Sequence, residues 1–149
     1  MEKFFHQNII FMTKGEQEMR LYYNSEKKKD REVLGYAQSL KKIVVNERDI
    51  SKSNLTERQL KELADTIGEP VEEMMDRNDS LYMDKIANGS FTEEDLLMLM
   101  SQNPSLIDTP IAVVTDFAYP VASPFELIPK DLSIEGVKSR RANVFESSN

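Results

Sequence analysis

The sequence predicts an α/β fold built on one sheet, and three observations support this. A β-α-β pattern runs from Met19 to Asn46, a β-hairpin pattern followed by a short helix closes the ordered part near Glu126, and capped amphipathic helices fill the stretch between them. At 149 residues one domain is the default, with enough chain to bury a real core.

Each element has its own local reason. Met19–Tyr23 (MRLYY) is aromatic and aliphatic, which suits a strand. Asp30–Leu40 places Val33, Leu34, Ala37 and Leu40 at helical spacing. Lys42–Asn46 (KIVVN) is β-branched at its centre and reads as a second strand, followed by the polar linker Ser51–Asn54. Thr56 with Gln59 three residues on forms a capping box, Leu60, Leu63, Ala64 and Ile67 give the buried stripe, and Gly68 supplies a left-handed stop. Pro70–Arg77 reads as a short helix with proline in its first turn. Thr92 caps another helix, with Leu96, Leu97, Leu99 and Met100 inward and Asn103-Pro104 as the stop. Ile111–Val114 and Phe117–Val121 read as strands joined by a tight Thr115-Asp116 turn. Ser123, Pro124 and Glu126 open a last short helix as cap, N1 and N3. A β-α-β unit and an antiparallel hairpin sharing one sheet make a thioredoxin-type arrangement, with the helices at 56–102 inserted at one side.

Composition excludes more than it affirms. With no Cys the chain has no disulfide, no thiolate nucleophile and no Cys-ligated zinc or iron–sulfur centre. The single histidine, His6, argues against a Ser-His-Asp triad. A net charge of −7 makes direct nucleic-acid binding unexpected. No run approaches the roughly 20 apolar residues of a membrane span. Met1–Met12 lacks a signal-peptide cleavage site, so the expected location is the cytoplasm. Residues 1–18 are expected to be a flexible extension, 19–129 the folded domain with its helical insertion at about 55–102, and 130–149 a flexible tail.

Two stretches carry a specific resemblance. One is Leu55–Val114, with LTERQLKELADTIG, PVEEMMDRNDSLY and FTEEDLLMLMSQNPSLIDTPIAVV; the other is Leu21–Arg31, LYYNSEKKKDR. On these the chain resembles the arsenate reductase (ArsC)/Spx branch of the thioredoxin-fold proteins, from about Arg20 to Glu126. The resemblance implies a thioredoxin-like β-α-β plus β-hairpin-α fold with a helical insertion. It also implies an active-site loop whose nucleophilic Cys sits three residues after an Asn, at a helix N-terminus where N–H groups stabilise a thiolate. Here Asn24 and the following Arg31 are kept, the nucleophile's position holds Lys27, and the partner Cys of a CxxC loop is replaced by Asp30. The Arg that precedes the family's proline is Thr109, Pro110 matches that proline and should have a cis bond, and a second oxyanion Arg would fall near Ala122 or Ser123. Arg77 lies in the segment of a third family Arg, in a register ambiguous by about one residue.

These changes give three readings. The first is a non-catalytic member that binds a protein partner, as Spx contacts RNA polymerase, without cofactor or metal and without a redox switch. The second is a thiol-dependent arsenate or disulfide reductase, as the family label suggests. The third is a small-anion site where Lys27, Lys28 and Lys29 meet helix N–H groups and Thr109. Schiff-base chemistry at the lysines is disfavoured, because a lysine run is normally a solvated, charged patch. Glu72-Glu73-Asp76 and Glu93-Glu94-Asp95 read as solvated acidic faces, with no His to complete a metal site. Met74, Met75, Met98 and Met100 read as core filler.

Overall fold

A computed structural model describes residues 17–127. Of the expected flexible extension at 1–18, residues 1–16 lie outside the described residues, as does the expected tail at 130–149, whereas Gln17 and Glu18 belong to a strand. Four strands form one sheet: β1 (Gln17–Tyr23), β2 (Ile43–Asp49), β3 (Ile111–Val114) and β4 (Phe117–Pro120). The order is β2-β1-β3-β4, with β1 and β2 parallel and the other two pairings antiparallel. Helix α1 (Lys28–Ser39) connects the parallel pair, and α2 (Glu57–Ile67) and α3 (Glu93–Gln102) belong to the insertion between β2 and β3.

Strand alternation divides the core into two layers. Met19 and Leu21 of β1, with Ala112 and Val114 of β3, pack against Val33 and Ala37 of α1. Tyr22 and Ile111 point the other way, into a layer built by Leu60, Leu63 and Met100 of the insertion. Because β1 and β3 are covered on both faces, β3 is an unbroken apolar run, IAVV.

Local chemistry sets the element ends. Both insertion helices start at full capping boxes, Thr56 with Gln59 and Thr92 with Asp95, and Gly68 ends α2 at φ 89°. Strand β1 starts at Gln17, two residues before the apolar signal, because Gln17 and Glu18 pair with Ile43 and Val44. Likewise β2 runs through the polar residues Asn46–Asp49, which pair in register with Arg20–Tyr23. Main-chain pairing, not apolar content, extends both strands.

Some expected elements differ. The helix expected over Pro70–Arg77 shrinks to a 3-10 turn at Val71–Met74, because Met75 turns extended and bridges to Ile107. Tyr82–Ile86 forms a π-helical turn that the sequence did not announce. The last helix is a 3-10 turn at Pro124–Glu126, and the Ser123 side chain does not cap it. Met98 is exposed, in contrast to Met74, Met75 and Met100, which fill the core. No helix among the described residues is long and apolar enough to cross a membrane.

Candidate functional site

The loop after β1 is closed on itself. Asn24 is buried, and its N–H donates to Asp30 Oδ2 at 2.8 Å. The Ser25 N–H donates to Asp49 Oδ1 (3.1 Å), the Glu26 N–H to Asn24 Oδ1 (2.9 Å) and the Lys27 N–H to the Asn24 carbonyl (3.0 Å). The Arg31 guanidinium donates to the Ser25 carbonyl at 2.8 Å. Four consecutive amides, 24–27, are thereby committed inside the protein and none of them is offered to an oxyanion.

Lys27 occupies the N-cap of α1 without capping it through its side chain. Its ammonium instead donates to Asp76 Oδ2 at 3.0 Å and to the Ile107 carbonyl at 2.9 Å. Those acceptors flank a two-rung main-chain clip: the Asp76 N–H donates to the Leu106 carbonyl and the Asp108 N–H to the Met74 carbonyl, both at 2.7 Å. Lys27 therefore ties the loop to both sides of the clip that joins 74–76 to 106–108. The solvated lysine patch expected at 27–29 is corrected at this residue, and so is the solvated reading of Asp76; desolvation of both ends is offset by pairing each with the other.

The remaining expected residues gather around this tie. Lys29 lies 3.9 Å from Asp108, and Lys28 is exposed. Asp30 is fully buried, and burial pushes its carboxyl above the usual range, against the Thr109 hydroxyl, the Asn24 N–H and the nearby Lys27 and Lys29. Asp30 Oδ1 and Thr109 Oγ1, both buried, have no partner in hydrogen-bond geometry. The Thr109-Pro110 bond is cis, as expected. The Arg77 guanidinium pairs with Glu73 at 3.4 Å, and the region of the missing second Arg holds a carboxylate, Glu126, 3.4 Å from the Ala122 N–H.

Sequence reasoning missed Asp108, Asp49 and the Ile107 carbonyl. Asp108 had one usable signal, its place directly before Thr109-Pro110. Burial also pushes the Asp108 carboxyl up; Lys29 and Lys27 oppose this, while Asp76 and Asp30 add to it. Among the described residues no group of acidic or His side chains has metal-site geometry.

Asp49 behaves oppositely to Asp30. Burial disfavours its charge, but hydrogen bonds from Ser25 and Ser51 outweigh that and hold it at about 2, below its ordinary 3.8. A depressed carboxyl stabilises the fold above the unfolded pKa and loses that contribution as pH falls through the folded one. With solvent screening the contribution is about 1 kcal/mol. Urea unfolding should therefore show Asp49→Asn less stable than wild type by that amount at neutral pH, with the gap closing near the acid end of the transition. A gap unchanged by acid would contradict this assignment.

No family model matches the sequence, and no curated protein matches it either. Solved structures do. An arsenate reductase from Vibrio cholerae superposes with a TM-score of 0.67 at 23% identity, covering 75% of this chain and 96% of its own. A candidate arsenate reductase from Yersinia pestis gives 0.60 at 25% identity, covering 73% and 96%. A candidate ArsC family related protein from Bacteroides fragilis gives 0.62 at 20%, covering 73% and 95%. The fold is thus the ArsC-like form of the thioredoxin fold. The chain that adopts this fold contains no cysteine, so the loop after β1 carries no thiol.

Proposed function

We propose that this chain is a non-catalytic ArsC/Spx-like protein that acts by binding a protein partner in the cytoplasm. The observation that carries the reading is Lys27: the nucleophile's position holds an ammonium already bonded to Asp76 and Ile107. A charged, doubly bonded amine is no nucleophile, since it lacks a free electron pair. The Spx analogy supplies the idea of a protein partner, with RNA polymerase as its precedent and no more than that. Without a CxxC pair, binding is indifferent to redox state.

The competing reading is a reductase of arsenate or disulfides, which the names of the structural neighbours favour. Purified protein supplied with glutathione or dithiothreitol should reduce neither arsenate nor insulin above the protein-free rate; turnover in either assay overturns the binding proposal. Anion binding by Lys27–Lys29 with Thr109 is the weaker reading, because Lys27 and the loop amides are already engaged.

A further inference from the structure

We propose that β2 is an edge at which two copies of this chain pair, antiparallel about a two-fold axis at Val44. β2 lies at one end of the sheet order and is bonded on one side only, to β1. The Gln17 N–H donates to the Lys42 carbonyl at 2.9 Å, which turns the main-chain groups of Lys42, Val44, Asn46 and Arg48 toward β1. Those of Ile43, Val45 and Glu47 therefore point out of the sheet, and none has a partner among the described residues. Edges of this kind are ordinarily blunted by shortness, proline or a bulge. The opposite edge, β4, is four residues long and ends in Pro120. β2 has seven residues, no proline and an unbroken register with β1, so it carries none of these devices.

The residues along this edge select a second copy as its occupant. A two-fold axis perpendicular to the sheet keeps each residue on its own face, so odd positions pair with odd and even with even. Centring on Val44 sets Val44 against Val44, Ile43 against Val45, and Lys41 against Glu47 at both ends. Ile43 and Val45 then exchange their outward N–H and C=O groups, and an ion pair closes each end. Val44, 46% exposed, gains a cover on the axis. Lys41 and Glu47 are exposed and have no ion-pair partner among the described residues. The neighbouring register, centred on Val45, sets Lys42 against Arg48 and Ile43 against Glu47, and like charge opposes it. Two short strands bury too little surface for a permanent dimer, so the pairing belongs to the weak, transient class. It uses a different surface from the loop after β1 and does not depend on the partner reading above.

Sedimentation equilibrium of the full chain at low salt should show the mean mass rising from one copy toward two between ~5 and ~500 µM. Over the same range, hydrogen exchange at the Ile43 and Val45 amides should slow. Lys41→Glu and Glu47→Lys, both at exposed positions, should each weaken self-association about tenfold, because each sets like charges together at both ends. Mixed in equal amounts, the two variants should associate as tightly as wild type, since every end then joins opposite charges. Val44→Lys, which places two ammonium groups on the axis, should stay monomeric throughout. Circular dichroism verifies that each variant is folded, and those that fold carry the test. A wild-type chain that remains monomeric at the highest concentration overturns the proposal. So does self-association that Val44→Lys and both charge reversals leave unchanged, or a mixture no tighter than its two components.

Discussion

A Lys27→Met variant is expected to lose about 2 kcal/mol of stability. Removing one member of a fully buried ion pair costs roughly 3–5 kcal/mol, and exposed pairs contribute about 0–1. Lys27 and Asp76 keep side-chain exposures of 22% and 24%, so the pair falls between those limits. Methionine retains an unbranched side chain, so what is lost is the charge and two hydrogen bonds, leaving Asp76 and the Ile107 carbonyl uncompensated. In a thermal melt the loss should appear as a drop of roughly 5–10 °C for a chain of this size. A double-mutant cycle with Asp76→Asn isolates the pair, and a coupling of at least about 1 kcal/mol is expected. Additive effects of the two substitutions would show that the contact is incidental and that the loop is held by its own amides alone.

The largest effect is expected in the insertion core. Met100 is 0% exposed and sits where α3 meets the layer that contains Leu60 and Leu106. Met100→Ala should cost about 3 kcal/mol, within the roughly 2–5 observed when a buried methionine is truncated to alanine. Met98, two residues away on the same helix, is 41% exposed, and Met98→Ala should stay within about 0.5 kcal/mol. Urea denaturation of the two variants side by side checks both numbers. Similar losses from both would contradict the exposure of Met98.

That pair of methionines also shows what could be read before any coordinates. Four methionines in helix-forming surroundings look alike by composition, but on α3 the inward stripe is Leu96, Leu97 and Met100, and Met98 lies on the opposite side. Capping boxes at Thr56 and Thr92, the left-handed Gly68 and the apolar run of β3 were legible because they are local: each depends on residues within four positions. The loop was legible only as a set of substitutions. That Lys27 reaches a carboxylate 49 residues on and a carbonyl 80 residues on follows from the Met75–Ile107 bridge, and no periodicity encodes that. Asp76 misled for the same reason: beside Glu72 and Glu73 it looked like one more solvated acid, and only the clip turns it inward.

The pairing of Met74–Asp76 with Leu106–Asp108 has a consequence for how the molecule melts. It closes the later half of the insertion, α3 included, into a ring, and the insertion's core rests on the same two central strands that cover the opposite layer. Neither layer can open without baring a face of β1 and β3, so heat or denaturant should release both together as one cooperative block. Over residues 17–127 a protease then meets either the intact fold or an unfolded one, and the added helices become cleavable only when the entire sheet gives way.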